Sequence, residues 1–560
     1  MRIQTTLITA ILLIQNAVVA QEQRRVNESA KPNILFIVSD DHGWGDLPSN
    51  WDKTDVRLPT LDALAAEGVR FPNYHTVPLC GPSRACMFTG QYSTENGMWR
   101  GPGSSPLGSP GYRGIKRDVK MLPEYLSDAG YQTGAFGKWH MGSLKGEVPN
   151  DRGFDEFRGF LGGAHTYWIA PGRSKIMHNR SADQASEGHA TELFSEWAET
   201  FIRESVAEED PFFCYLAYNA VHGPLRVDES RPASAPEAWV KKALDRGVSF
   251  ERSDYVAILE HMDHHIGQLV DLLDELGIAD NTLIVFVSDN GGCTMEEGAA
   301  GGRFPGNNGP FSGGKATTWQ GGLNVPFLMN WKGRLPEGTV SDAQTMHCDN
   351  FATLLDAAGI AVPETNGKNP VRGISLIPHM LSAGKESVPE RSMIFELWGN
   401  IGLRKGDYKL WGDIGRDHSP DWASLVTELE GSDLALFDLG KDVAEKKDLR
   451  TEFPEVYASL KAELIDHLTN INAEYPGAET SGEPQPEKPK PKNSTPAPKS
   501  NARTPEKFFQ SRDRNEDGAI TLEEFIGNPE GRNVPALTKR YKNLDANGDG
   551  TLSIGELKGL

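Results

Sequence analysis

Positive charge is in short supply: 57 Lys and Arg face 78 Asp and Glu over 560 residues, a formal net charge of −21. The deficit lies in the body, since residues 1–20 contribute +1, 475–503 contribute +2 and 504–560 contribute −2, leaving −22 for 21–474. A field of that sign repels polyanions and excludes nucleic-acid binding through general electrostatics. An anionic substrate must therefore be caught by a local basic cluster. Cysteine is scarce too. Five residues, at 80, 86, 214, 293 and 348, are too few and too scattered for a disulfide framework, and any pairing among them stays open. Long apolar runs are also missing. The one near the N-terminus, Leu7 to Ile14, is too short for a membrane span. Flanked by Met1-Arg2 and Ala17-Val18-Val19-Ala20, it reads as a secretory signal over 1–20, which predicts a secreted or periplasmic protein with no membrane span.

A chain of this length exceeds one ordinary core and predicts two or more domains. Asn33–Ser39, Pro211–Tyr218 and Thr282–Ser288 are continuous apolar runs of the kind buried in parallel sheets. Helical patterns at 60–67, 122–128 and 253–276 end at Gly68, Gly130 and Gly277, and a strand is expected at 131–136. The alternation predicts an α/β fold: a large doubly wound mixed sheet with helices on both faces, over 31–391. From 392 to 475 short alternating segments (401–411, 434–439) and a helix at 454–468 predict a smaller α+β subdomain with an antiparallel sheet. Residues 476–503, rich in Pro, Lys and Glu, cannot bury enough apolar surface to fold and read as a linker.

Residues 504–560 carry a repeat. Asp513, Asn515, Asp517, Ala519 and Glu524, then Asp545, Asn547, Asp549, Thr551 and Glu556, occupy the ligand positions of two twelve-residue EF-hand loops. Calcium needs oxygens in that order, glycine at position 6 (Gly518, Gly550) and a final glutamate giving two oxygens. Glutamate at position 12 leans away from a dockerin-type repeat. A Ca²⁺-binding helical EF-hand pair is expected, its partner undefined.

Each apolar run delivers polar residues at its carboxyl end, where open α/β sheets place their sites. Asn33–Ser39 runs into Asp40-Asp41, and Thr282–Ser288 into Asp289-Asn290. These hard oxygen donors suit Ca²⁺, with Mg²⁺ as the alternative, rather than zinc. Two more segments deliver Lys138-Trp139-His140 and His222-Gly223-Pro224, and Lys315 lies in a glycine-rich stretch. If 138–140 is extended, Lys138 and His140 point to the same side. Between these lies Leu79-Cys80-Gly81-Pro82-Ser83-Arg84-Ala85-Cys86-Met87-Phe88-Thr89-Gly90. Pro82 suits a first helical position, which places Cys80 just ahead of a helix N-terminus.

The Cys-x-Pro-Ser-Arg string followed by Thr-Gly resembles the signature of the type I sulfatases, arylsulfatase-like members of the alkaline phosphatase superfamily, and the likeness covers about 31–470. The resemblance implies that Cys80 is oxidised by a maturation enzyme to Cα-formylglycine, whose hydrate is the nucleophile. It implies a Ca²⁺ held by Asp40, Asp41, Asp289 and Asn290 that also touches residue 80. Arg84 and Lys138 would stabilise the nucleophile and the sulfate oxygens, His222 or Lys315 would protonate the leaving alcohol, and His140 would act as base. The chain departs from the family where Gln320 and Asn324 replace the usual Glu and Arg.

The expected reaction is hydrolysis of a sulfate ester, with a sulfated glycan as partner and no nucleic acid. Trp99, Arg100, His165 and Trp168 are candidate sugar contacts. A phosphodiesterase or phosphonate monoester hydrolase on the same fold is the alternative enzyme, and a catalytically dead calcium-dependent binding protein the alternative of another class. His261-Met262-Asp263-His264-His265 places two histidines four apart on the long helix, but lacks the glutamate of a zinc-protease helix.

Overall fold

The computed structural model describes residues 31–98, 114–226, 232–294, 305–397, 399–414 and 422–471, and in the C-terminal tail 519–522, 538, 541–542 and 551–552. The signal at 1–20, the linker at 476–503, Trp99 and Arg100 lie outside them. So do all the EF-hand ligand positions except Ala519 and Thr551.

Ten strands form the main sheet: β1 Asn33–Ser39, β2 Val69–Arg70, β3 Gln132–Lys138, β4 Glu156–Phe160, β5 Met177–His178, β6 Ser181–Ala182, β7 Phe212–Ala217, β8 Thr282–Ser288, β9 Phe327–Asn330 and β10 Thr339–Val340. Their spatial order is β10-β2-β9-β8-β1-β7-β3-β4-β5-β6. The central strands β8, β1, β7, β3 and β4 run parallel, while β9 and β5 pair antiparallel on either side. Both faces are buried, which is why β1, β7 and β8 are apolar at every turn of the pleat.

Alternation then divides the strands between two layers. Leu35, Ile37, Cys214, Leu216, Ile284 and Phe286 face α1 (Pro59–Ala66), α4 (Ala190–Ala207), α5 (Glu237–Asp245) and α6 (Phe250–Glu275). Ile34, Phe36, Val38, Phe213, Tyr215 and Val285 face α2 (Cys80–Thr89), α3 (Leu122–Asp128) and α7 (Cys348–Ala357). A second sheet, β11 Met393–Leu397, β12 Asn400–Lys405, β13 Tyr408–Asp413 and β14 Ala435–Asp438, is antiparallel in sequence order. With α8 (Trp422–Gly431) and α9 (Pro454–Asn470) it encloses a third core that also contains Cys86, Tyr92 and Cys348 from the side of the sheet covered by α2 and α7. Trp319 stacks on Trp411 at 3.9 Å between ring centres, and Lys409, fully buried, pairs with Glu445 and donates to the Thr318 carbonyl. The antiparallel subdomain is thus bolted to the loop that carries Lys315.

Three expectations shift in detail. The long helix starts at Phe250, not Ser253, because Ser249 holds extended backbone and ends the preceding turn. The strand expected at 131–136 extends to Lys138 through its parallel pairing with β4. β11 adds an edge at the point where the sequence texture changes. In the tail, Ile520–Thr521 pairs antiparallel with Thr551–Leu552.

Burial holds the rings of His189, His222, His265 and His467 down to about 4 and His261 to about 2. Above about pH 6.5 neither state protonates these rings. Below it the unfolded chain takes up protons that the folded chain refuses, so stability falls as pH drops from about 6.5 towards 4. Asp40 and Asp263, raised by burial to about 8 and about 6, act in the opposite sense. His42, His75 and His140 are lowered as well, and Asp62, Glu95, Glu147, Glu156 and Glu192 are raised more modestly, so eight rings outweigh seven carboxyls and the melting temperature should decline between pH 7 and 4.5 in calorimetry. A flat or rising profile would contradict this balance.

Candidate active site

Four strand exits and one helix start meet at the carboxyl edge of the parallel strands. β1 delivers Asp40 and Asp41, β8 delivers Asp289 and Asn290, β3 ends on Lys138, and β7 leads through Asn219 to His222. The edge is tied together by backbone: Asp289 N–H donates to Ser39 O at 3.1 Å, and Asp40 N–H to Ala220 O at 2.7 Å.

Cys80 is the first residue of α2, not the residue ahead of it. Leu79 takes the extended N-cap conformation, and Ser83 N–H closes the first turn on Leu79 O at 3.0 Å. Pro82 falls third, where a missing N–H still costs nothing because the first four N–H groups of a helix lack intrahelical acceptors. Every residue of α2 is buried, and Cys80 is only 3% exposed. Burial raises its thiol, partly offset by Lys138 and Lys315.

The charges form three interlocked pairs. Arg84 clamps Asp289 Oδ2 through Nε and Nη2 at 2.9 and 2.8 Å, and its Nη1 donates to Tyr215 Oη at 3.0 Å. Lys138 Nζ donates to Asp40 Oδ2 at 2.5 Å. Lys315 Nζ reaches both oxygens of Asp41, at 2.7 and 2.9 Å, and Asn290 Nδ2 donates to Asp41 Oδ1 at 2.7 Å. Burial would raise Asp41, but the neighbouring Lys315, His222 and Lys138 hold it below the usual carboxylate range. Asp40 goes the other way, pushed up to about 8 by burial and by the Asp289 charge despite Lys138.

His140 does not sit on an extended segment with Lys138. Its φ is +57°, and the left-handed turn swings its ring towards the same edge. Burial and then the cations Lys138, Arg84 and Lys315 hold that ring well below the ordinary histidine value, and its Nδ1 has no partner. A Cβ on Gly163 would come within 2.5 Å of its ring atoms Cε1 and Nε2. Gly163→Ala should therefore displace the imidazole and lower kcat about 10- to 100-fold while leaving the fold intact. Unchanged kcat with a soluble, native variant would show that the ring position does not matter.

His222 Nδ1 is 2.7 Å from Gly223 O, which fixes the N–H there and leaves Nε2 free, 3.8 Å from Asp41 Oδ2. Tyr167 Oη donates to Asn219 O and His222 O at 2.9 and 3.0 Å and so anchors that loop.

The donor set fits a hard cation. Asp40 Oδ1 and Asn290 Oδ1 are buried without hydrogen-bond partners, and carboxylate and thiol atoms of Asp40, Asp289 and Cys80 lie within 4.8 Å of one another. Unpaired buried oxygens on this scale are costly unless something positive meets them. Oxygen donors alone select calcium or magnesium over zinc.

All ten predicted core residues thus share one edge. Gln320 and Asn324 do not join it. Gln320 Oε1 meets His75 Nε2 at 3.0 Å and its N–H meets Glu445 at 2.7 Å, a link to the antiparallel subdomain. His165 and Trp168 sit on an exposed stretch beside it: Trp168 is 51% exposed, and His165 O accepts from Asn219 Nδ2 at 3.3 Å. Sequence reasoning missed Tyr215, Tyr167 and Asn308. Asn308 Nδ2 bridges Gly292 O and Gly313 O at 3.0 and 3.1 Å, tying the Lys315 loop to the Asp289 loop. Tyr215 carried a signal, a phenol inside an otherwise apolar strand; Asn308 carried none.

The profile of the family described as Sulfatase matches residues 32–360. N-acetylgalactosamine-6-sulfatase of Canis lupus familiaris is 31% identical over 489 residues, covering 81% of this chain and 87% of the relative. Arylsulfatase G of Homo sapiens is 30% identical over 487 residues, covering 79% and 87%. Among solved structures, Ps i-CgsB in complex with k-i-k-neocarrahexaose superposes with a TM-score of 0.67 at 28% identity, covering 80% of this chain and 94% of that one.

Proposed function

Because the chain belongs to the sulfatase family and is a sulfuric ester hydrolase, we propose that it removes sulfate from a sulfated carbohydrate, using a formylglycine made from Cys80 and a divalent cation, calcium first, beside it. The observation that carries the reading is the ring of Arg84, Lys138 and Lys315 around Cys80, each cation already paired to an aspartate at the same edge. Three carboxylates offset three cations, so a bound divalent ion leaves the edge positive, matched to a singly charged sulfate ester. The two groups supply, once present, an oxygen nucleophile that can return to aldehyde and a positive charge that aligns the ester. Asp40, Asp41, Asp289 and Asn290 would hold the ion.

The remaining work falls to side chains. Lys138 and Arg84 face the sulfate oxygens from rigid elements and need no reorganisation as charge develops. Lys315 is better placed than His222 to protonate the leaving alcohol, because its ammonium keeps its proton well above neutral pH, while the His222 ring, held down to about 4 with its N–H on Nδ1, offers only a lone pair at Nε2. His140, with Nδ1 unpartnered, is the base.

A carbohydrate substrate is supported by the relatives, one named for N-acetylgalactosamine 6-sulfate and one crystallised with a carrageenan-type hexaose. The exposed Trp168, one residue on from the Tyr167 that anchors the His222 loop, offers an aromatic platform. Secretion rests on the 1–20 signal; among the described residues no helix is long and apolar enough to cross a membrane. For the tail, the reading as an EF-hand pair is supported by register: Ile520 and Leu552, position 8 of each loop, are Cα partners, both fully buried, with Tyr541 Oη donating to Ile520 O at 2.9 Å.

The deciding assay compares sulfate, phosphate and phosphonate monoesters of one aryl alcohol, then a panel of sulfated mono- and oligosaccharides, using protein produced with the maturation enzyme. Sulfate turnover should exceed the others by about 100-fold or more, a gap of roughly 3 kcal/mol in transition-state binding. Faster phosphonate turnover would transfer the protein to the alternative reaction.

A further inference from the structure

Two thiols and an imidazole meet where α2 packs on α7. Cys86 lies on the second turn of α2, Cys348 is the first residue of α7, and His347 caps that helix. All three are 0% exposed. The sulfurs of Cys86 and Cys348 and a ring nitrogen of His347 lie within 4.8 Å of one another. His347 Nδ1 is 3.1 Å from His75 O. A carbonyl only accepts, so the ring proton sits on Nδ1 and Nε2 keeps a lone pair. That Nε2 is buried with no hydrogen-bond partner. Asn96 Nδ2, 3.9 Å from Cys86 Sγ, points a donor at that sulfur.

Two buried thiols alone would be ordinary packing, since cysteine serves as a small hydrophobe. The imidazole is different: an acceptor nitrogen buried without a donor is costly unless something positive meets it. Fixing one nitrogen on a backbone carbonyl is how proteins aim the other at a metal. An ion bonded at about 2.0–2.3 Å in a plane sets its donors roughly 3.5–4 Å apart, so small side-chain rotations would close the ring. Thiolates select soft ions, copper(I) and zinc among them. Structural zinc takes four protein ligands, and among the described residues no fourth histidine, cysteine or carboxylate joins this group. Copper(I), a soft ion with a filled d shell, is stable with three.

We propose that Cys86, His347 and Cys348 form a three-coordinate copper(I) site that staples α2 to α7. Binding is not a redox step: Cu⁺ displaces the thiol protons to solvent, and two Cu–S bonds and one Cu–N bond form. Burial raises the Cys348 thiol well above its ordinary value, while its place at the start of α7 favours the thiolate once the ion is bound. The soft donors here and the oxygen donors of the catalytic edge sort two metals by chemistry. The site is structural, holding the second turn of the helix that begins at Cys80.

Full-length Cys80→Ala protein, reduced and kept free of oxygen, is titrated with Cu(I) against the competing chelator bicinchoninate; the substitution keeps position 80 from competing as a thiol. One tightly held equivalent is expected, with an X-ray absorption spectrum of two sulfurs and one nitrogen around the metal. The melting temperature should rise by a few degrees at about 100-fold excess over the dissociation constant. Adding Cys86→Ala, Cys348→Ala or His347→Gln should each weaken binding by about 100-fold, and His347→Gln should also remove the nitrogen from the spectrum. Cys214→Ala and Cys293→Ala should leave binding unchanged. Where a variant fails to fold, the spectrum of the Cys80→Ala parent decides alone. The proposal fails if no Cu(I) is held against the chelator, if its shell lacks the nitrogen, or if folded variants keep the parent's affinity. It fails equally if Zn²⁺ displaces Cu(I), or if peptide mapping of natively produced protein finds Cys86 and Cys348 joined as a disulfide.

Discussion

Cys80→Ala leaves a folded protein with no measurable sulfate ester hydrolysis, a loss of about 10⁴-fold or more. Every other group at the edge acts on a nucleophile at position 80, and a methyl group offers none. The fold should survive, because alanine keeps the helical start and removes a single buried sulfur. The matching measurement is peptide mass spectrometry of the active wild type: conversion of the thiol to aldehyde removes about 18 Da, since the nucleophile is then carbon–oxygen chemistry rather than sulfur. Active protein carrying only unmodified Cys80 would overturn the mechanism, as would turnover by the alanine variant.

Asp289→Ala should be nearly as damaging to turnover and far worse for stability. One carboxylate receives both Arg84 nitrogens, accepts the Asp41 N–H at 3.2 Å, and lies within ligand distance of Asp40 and Cys80. Removing it strands a buried guanidinium, a defect worth roughly 3–5 kcal/mol where one partner of a buried pair is deleted. It also removes a ligand of the proposed ion. Turnover should drop by about 10³-fold, with a lowered melting temperature that calcium no longer raises. The double variant Arg84→Leu/Asp289→Leu separates the two effects: it should recover much of the stability, because no charge is stranded, and none of the activity. A single variant that melts like wild type would show the pair is not coupled to the fold.

Much of this was legible in the chain itself. Continuous apolar runs identify β1, β7 and β8 because a strand buried on both faces has no polar side to display, and their polar exits locate the edge. The Cys80–Gly90 string and the Asp-Asp and Asp-Asn pairs then select the site. What escaped was whatever depends on packing between distant segments. His140 reaches the expected edge by a left-handed turn rather than along an extended strand, a conformation that only its surroundings permit. Asn308 and Tyr167 position loops through contacts with no sequence spacing to betray them. The meeting of Glu192 with His261 at 3.2 Å crosses about 70 positions, and no sequence spacing betrays it.

The burial of α2 on every side has a consequence for how the protein is made. An enzyme that oxidised Cys80, as proposed, would have to reach its side chain, and the finished fold buries all ten residues of that helix. The proposed conversion would therefore come before α2 docks between the sheet and the antiparallel subdomain. Biogenesis becomes a race between two clocks, modification and collapse. A substitution that merely hastens folding would yield more protein with the right shape and less that works.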